Sequence, residues 1–230
     1  MKVCRDLYRF AARMIDTFKH KGQRERLVQA LIQKGITDDR LLKALETVPR
    51  HAFVEGAFSA QAYQDKALPI KRGQTISQPF TVAFQTQLLQ LRSKMKVLEV
   101  GTGSGYQAAI LCEMGMRVFS VEYDKKLHED AGERLSDLQY AAHLLYGDGS
   151  QGWQKYQPYD RILVTAASPG IPESLKQQLA IGGRMVIPVG TRSRQRMTVV
   201  KRIDRMEYEI EALHAFQFVP LRGKFGFEEE

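Results

Sequence analysis

The residues with the most chemical content form one run, Val97-Leu98-Glu99-Val100-Gly101-Thr102-Gly103-Ser104-Gly105-Tyr106. An acid closes an apolar stretch, and three glycines follow at every second position. Glycine there admits positive φ and lets a ligand approach the backbone. A helix starting near Tyr106 would aim its N-terminal N–H groups at the same spot. Two further acids stand in matching places. Glu122 follows the apolar run 117–121, and Asp148 lies in Gly147-Asp148-Gly149 after 144–146. An acid in the first position can accept hydrogen bonds from both hydroxyls of a ribose. One in the second can accept from an adenine amino group.

Two nucleotide chemistries compete for this pattern. A dinucleotide turn asks for G-x-G-x-x-G/A. Read from Gly101 and Gly103 it fails, because Tyr106 occupies the third glycine's place; read from Gly103, Gly105 and Ala108 it is satisfied. The E-x-G-x-G-x-G spacing favours S-adenosyl-L-methionine, which has no pyrophosphate to neutralise. Its cationic sulfonium–methionine end suits a carboxylate such as Glu99. S-adenosylmethionine is thus the expected cofactor, NAD is the competitor, and no metal is called for. A second run, Gly73-Gln74-Thr75-Ile76-Ser77-Gln78-Pro79, carries a serine. In isolation Ser77 reads as a helix N-cap ahead of Pro79. It has no G-x-S-x-G elbow, which speaks against a serine hydrolase.

Holding three acids and a glycine turn together requires strands that end side by side. Short apolar runs at 96–100, 117–121, 144–146, 160–165 and 184–189 read as buried strands. Helical patterns fill the gaps, most clearly Leu127, Ala131, Leu135 and Leu138. The alternation predicts an α/β fold: a doubly wound, mostly parallel, Rossmann-like sheet with helices on both faces. After Gly190, residues 197–203 and 208–219 read as two antiparallel strands. Ahead of the sheet lies a small helical region. It comprises a basic amphipathic helix over 7–19 and a second over 23–34, with Leu27, Val28, Leu31 and Ile32 on one face. A third is opened by Thr37 as capping hydroxyl, with Asp38 and Asp39 in its first turn. Residues 59–79 are turn-rich, and a helix follows Pro79.

Taken together, the 73–79 run, the Glu99–Gly105 turn and Gly147-Asp148-Gly149 resemble the protein-L-isoaspartate O-methyltransferase family. Val48-Pro49-Arg50-His51-Ala52-Phe53-Val54 is similar to that family's helical lead-in, and Phe218-Val219-Pro220-Leu221 to its C-terminal strand end. The resemblance spans about residues 21–221. It implies the Rossmann-like fold of S-adenosylmethionine-dependent methyltransferases and transfer of a methyl group to the free carboxylate of L-isoaspartyl residues in damaged proteins, with D-aspartyl residues as a second candidate acceptor. It makes Ser77 the active-site serine. It implies that Glu99, Gly101, Thr102, Gly103, Ser104, Gly105, Glu122, Asp148 and Gly149 bind the cofactor, and that Thr75, Ser77, Val219 and Pro220 meet the substrate. Phe80 and Phe84 depart from the residues the family usually shows there. No cofactor contact is assigned after Leu221.

The chemistry agrees with that implication. A carboxylate with pKa near 4 is already ionised at pH 7, so it needs no general base, whereas an amine or alcohol acceptor would. No histidine stands in either motif, and His51, the nearest, reads as a packing residue. Two other functions are weighed. A nucleic-acid methyltransferase would use an Asn/Asp-Pro-Pro-aromatic loop after the fourth strand; the loop here is Ala166-Ala167-Ser168-Pro169-Gly170. A non-catalytic binding module is opposed by the presence of Ser77, Glu99, Glu122 and Asp148.

Composition bounds the rest. The 230 residues are 43% hydrophobic and 26% charged, which excludes disorder as the main state. The two cysteines, Cys4 and Cys112, exclude a disulfide scaffold and suit a reducing compartment. No apolar run approaches a membrane span. The first residues scatter their charges, so no secretory signal is expected. The net charge of +8 sits in two outer stretches: residues 1–50 carry twelve Lys/Arg against six Asp/Glu, and 192–205 carry six against one. The latter reads as a solvated turn and strand edge. Trp153 reads as a cover over the cofactor or as core. The expected layout is an N-terminal extension, 1–20, and a single methyltransferase domain, 21–230. Within it, 21–92 is the helical, substrate-side region and 93–230 the cofactor-binding sheet. The expected state is a cytoplasmic monomer acting on isoaspartyl-containing peptides and proteins, with no nucleic-acid or membrane partner.

Overall fold

A computed structural model describes residues 16–228. Helix α1, Phe18–Gln33, is capped by Thr17, whose hydroxyl accepts the His20 N–H while His20 Nδ1 accepts that of Thr17. Most of the helix expected over 7–19 lies outside the described residues. Helix α2, Asp39–Thr47, is capped by Asp38 rather than by Thr37: the Asp38 carboxylate takes the N–H groups of Arg40 and Leu41. Thr37 is instead drawn to Gln87, whose Oε1 accepts its N–H at 2.6 Å. Strands β1 (Leu68–Pro69) and β2 (Thr75–Ile76) pair as a small antiparallel hairpin. Helix α3 (Pro79–Leu88) has Pro79 at its start and Gln78 at the cap position. Ser77 is therefore not a cap.

The main sheet follows. Strands β3 (Lys96–Val100), β4 (Arg117–Glu122), β5 (Ala142–Tyr146), β6 (Tyr159–Val164) and β7 (Leu179–Gly190) alternate with helices α4 (Tyr106–Glu113), α5 (Lys125–Asp137) and α6 (Glu173–Gln178). Strands β8 (Gln195–Arg202) and β9 (Tyr208–Phe216) complete it. The order is β5-β4-β3-β6-β7-β8-β9, parallel through β7 and antiparallel from β7 to β9. The expected doubly wound sheet with antiparallel C-terminal strands is thus present. The last strand stops at Phe216, and the chain turns so that Pro220 bridges Ala167.

Alternation along each strand sorts the core into two layers. Val97 and Val118 face one apolar cluster, shared with α1–α4. Leu98, Val100, Phe119 and Val121 face the other, shared with α6. Trp153 belongs to this second cluster, edge-on to Phe119, and is not a cofactor cover. Strand β8 is flanked by β7 and β9, so its basic residues are not on a sheet edge; Arg202 donates to the carbonyls of Gln177 and Leu179.

Candidate active site

Strands β3 and β6 are neighbours, yet the chain runs from β3 to one side of the sheet and from β6 to the other. Open α/β sheets bind ligands beyond the carboxyl ends of strands at such a switch point. A cavity opens there, walled by Gly101 to Ser104 after β3, by Glu122 and Tyr123 after β4, and by Thr165 and Ala166 after β6. Gly149, Thr75, Ser77 and Val219 to Arg222 line it as well.

The turn requires its glycines. Gly101, Gly103 and Gly105 have φ of +96°, +54° and +87°, values that side-chain-bearing residues rarely adopt. At Gly101 space is short as well. Thr165 Oγ1 donates to the Gly101 carbonyl at 2.7 Å, and a Cβ on Gly101 would meet that oxygen at 2.5 Å. Gly105 sits at the cap of α4, where an added Cβ would meet Leu135 at 3.3 Å.

The three acids turn out to be unlike one another. Glu122 lines the cavity. Its Oε2 accepts the Gly103 N–H at 2.8 Å and its Oε1 the Asp124 N–H at 2.9 Å. Each carboxylate oxygen has a second lone pair, so Glu122 can brace the turn and still accept from a diol. Glu99 is fully buried and absent from the cavity wall. It alternates with Leu98 and Val100, so it points into the helix-covered layer beneath the turn. Ser120 Oγ donates to its Oε2 at 2.5 Å and shares a 2.6 Å hydrogen bond with Thr102 Oγ1, while Oε1 has no partner. Burial, with help from the nearby Glu122 charge, pushes the Glu99 carboxyl up to about 8. Asp148 is also off the wall. Its oxygens accept from Ser150 N and Oγ, Gln151 Nε2 and Lys224 N. These bonds hold its pKa below the usual carboxylate value against the opposing effect of burial. Both oxygens are engaged by protein, and what they hold is the C-terminal turn.

On the opposite side, Ser77 is half-buried, and its hydroxyl makes no hydrogen bond to any described residue. Its carbonyl accepts from Arg50 Nη2 at 2.8 Å. Val219 and Leu221 exchange backbone hydrogen bonds with Ala167, which lays the C-terminal segment along the cavity. His51 stands outside the cavity: its Nδ1 lies 2.7 Å from the Tyr63 hydroxyl, and its ring stacks on His20. Phe80 and Phe84 stack on each other, also away from the cavity.

Sequence reasoning missed several wall residues. Gln85, buried on α3, donates to the Val164 carbonyl at 3.0 Å. Arg222 lines the cavity although nothing after Leu221 carried a motif. The signal for that stretch was Gly223, whose φ is +109° and whose added Cβ would run into the Asp148 carboxylate.

The wall fits a cationic nucleoside donor better than a dinucleotide. Beside the glycine turn it presents Glu122 and Asp124, and the Glu122 carboxylate already occupies the Gly103 N–H that a pyrophosphate would need. No histidine lines it.

A sequence model of the family described as protein-L-isoaspartate(D-aspartate) O-methyltransferase matches residues 22–226. A protein-L-isoaspartate O-methyltransferase of Cytophaga hutchinsonii is 50% identical over 214 residues, covering 93% of this chain and 97% of its own. A solved protein-L-isoaspartate O-methyltransferase superposes with TM-score 0.81 at 30% identity, covering 88% of this chain and 67% of its own. A Plasmodium falciparum structure, described as a putative protein-L-isoaspartate O-methyltransferase in complex with S-adenosyl-L-homocysteine, shares the fold. Its TM-score is 0.75 at 23% identity, covering 88% of this chain and 98% of its own.

Proposed function

The chain belongs to the protein-L-isoaspartate(D-aspartate) O-methyltransferase family, and from that premise we propose how its cavity carries out S-adenosylmethionine-dependent methylation of isoaspartyl carboxylates. One observation carries the reading: a single cavity wall holds the glycine turn with Glu122 and, across from them, the unbonded hydroxyl of Ser77. When bound, S-adenosylmethionine supplies an electrophilic methyl group on a cationic sulfur. Gly101, Thr102, Gly103 and Ser104 would give it a close-fitting backbone, Glu122 would accept from its ribose, and Gly149 would flank its base. Gly105 shapes the turn from behind. Glu99 acts indirectly, through Ser120 and Thr102, and Asp148 acts by fixing the segment that carries Arg222.

Ser77 donates its free hydroxyl to the substrate carboxylate and orients it, with Thr75, Val219 and Pro220 beside the peptide. The carboxylate is ionised at neutral pH, so a wall without histidine suffices. Rate is gained from position, with nucleophile and methyl group held in line. The strip from Val219 to Leu221 and the buried Ile76 help exclude competing water. Residues 21–92, joined by Val219 and Pro220, form the substrate side and the rest of 93–230 the cofactor side. The enzyme works as a cytoplasmic monomer on isoaspartyl peptides and proteins, without nucleic acid. Cys112 is a free thiol, which is in keeping with a reducing compartment. No described helix is long and apolar enough to cross a membrane. The base-methylation alternative draws no support from the relatives.

The test is incubation with methyl-labelled S-adenosylmethionine and an isoaspartyl peptide beside its aspartyl twin. Label should enter the isoaspartyl peptide alone; equal labelling, or none, overturns the reading. Ser77→Ala should lower turnover by roughly tenfold to a hundredfold while leaving cofactor affinity in place.

A further inference from the structure

Arg50 is the largest side chain buried out of contact with water. A guanidinium stays charged in proteins, and a buried charge is costly unless it is paired. Yet no carboxylate among the described residues lies within ion-pair distance of Arg50. Asp65, whose charge acts on it from a distance, is itself bonded by Lys34 and by the Phe80 N–H. Arg50 spends its donors on backbone instead. Its Nε donates to the Ala62 carbonyl at 2.9 Å and its Nη2 to the Ser77 carbonyl at 2.8 Å. Its plane lies over the ring of Tyr106, the first residue of α4 and part of the cavity wall, at 4.8 Å from the centroid. Nη1 is buried with no hydrogen-bond partner among the described residues.

One side chain thus ties three pieces of the site: the turn at Ala62, the backbone of Ser77 and the helix that follows the glycine turn. Its neighbours are held from other sides, Ile76 by pairing with Leu68 and Gln78 by its amide donating to the Asp65 carbonyl. The Ser77 carbonyl itself is held by Arg50. We propose that Arg50 is a positioning residue of the methyl-transfer site, which sets the Ser77 hydroxyl through its bond to the Ser77 carbonyl. The inference rests on the proposed place of Ser77 at the substrate carboxylate.

The test is a double-variant cycle on the full chain with an isoaspartyl peptide: Arg50→Lys, Ser77→Ala and the pair together. Residues acting through one another give non-additive effects. Arg50→Lys keeps the charge and loses the planar fork. It should cost about tenfold in kcat/KM in the wild-type background and less than about twofold in the Ser77→Ala background. S-adenosylmethionine affinity by calorimetry should stay within about twofold of wild type. Equal costs in both backgrounds would overturn the inference while leaving Ser77 in its role. A parallel loss of cofactor affinity would show general loosening and also overturn it. Turnover unchanged by Ser77→Ala would sink both this inference and the reading it rests on. If Arg50→Lys fails to fold, the wild-type protein still decides. The exchange-protected Nη2–H resonance of the buried arginine, which reports the bond to the Ser77 carbonyl, should move when the isoaspartyl peptide binds and stay put with the aspartyl twin. An unmoved resonance refutes the proposal.

Discussion

Replacing Glu99 by Gln should change how the stability of the fold depends on pH. The Glu99 carboxyl has no exposure and only one donor, Ser120 Oγ. Its pKa stands at about 8 in the fold, against 4.5 for an ordinary glutamate. Between these values the native state keeps a proton that the unfolded chain has released. The unfolded state then binds fewer protons, so stability is full below the unfolded pKa and falls as pH rises. From pH 5 to 7.5 this single group should cost the wild type about 3 kcal/mol. Glu99→Gln keeps the shape and an acceptor for Ser120 but has no proton to lose. Urea denaturation of both proteins at several pH values across that window isolates the group, because every other titration is common to the pair. The gap in unfolding free energy should move in favour of the variant by about 3 kcal/mol as pH rises. A gap that stays flat would mean that Glu99 is ionised throughout, and the argument from its burial would be wrong.

Other parts of the site give separate tests. Glu122→Gln should weaken S-adenosylmethionine binding, measured by calorimetry, by about 1.5–3 kcal/mol, the usual loss for a hydrogen bond to a charged group; unchanged affinity would remove Glu122 from the ribose. Asp148→Asn should free the C-terminal turn, because the Lys224 N–H and Ser150 are held by that carboxylate. Trypsin should then cut after Arg222 and Lys224 faster than in the wild type, and an equal rate would contradict the anchoring role. Gly101→Ala combines positive φ with a clash against Thr165 Oγ1. A destabilisation of about 1–3 kcal/mol in denaturant titrations is expected, and a neutral result would show that the turn yields.

The local features were legible in the residues. Strand positions followed from apolar runs, and the run 96–100 is β3 to the residue; the run 144–146, expected to be buried, lies in β5 at the sheet edge, where none of the strand's residues is buried. The glycine turn was legible because three positive-φ positions in five residues admit few other side chains. The resemblance of the 73–79 run and the strand-end acids pointed to the same family that the comparisons show. What the residue pattern did not decide was which way each side chain faces once distant elements close around it. Glu99 and Glu122 look equivalent as strand-end acids. In the fold one is sealed beneath the turn by Ser120 from the neighbouring strand, and the other opens on the cavity. Thr37 had the chemistry of a cap and lost it to Gln87, 50 positions away. Asp148 had that of a base contact, and the tail at Lys224, 76 positions on, occupies it. Arg50 stood in a quoted motif with no task until tertiary structure brought the Ser77 carbonyl to its guanidinium. Backbone conformation and apolar periodicity are set over a few residues, so a single chain discloses them. Burial, orphaned atoms and long-range hydrogen bonds are properties of the packed whole, and only the fold assigns them.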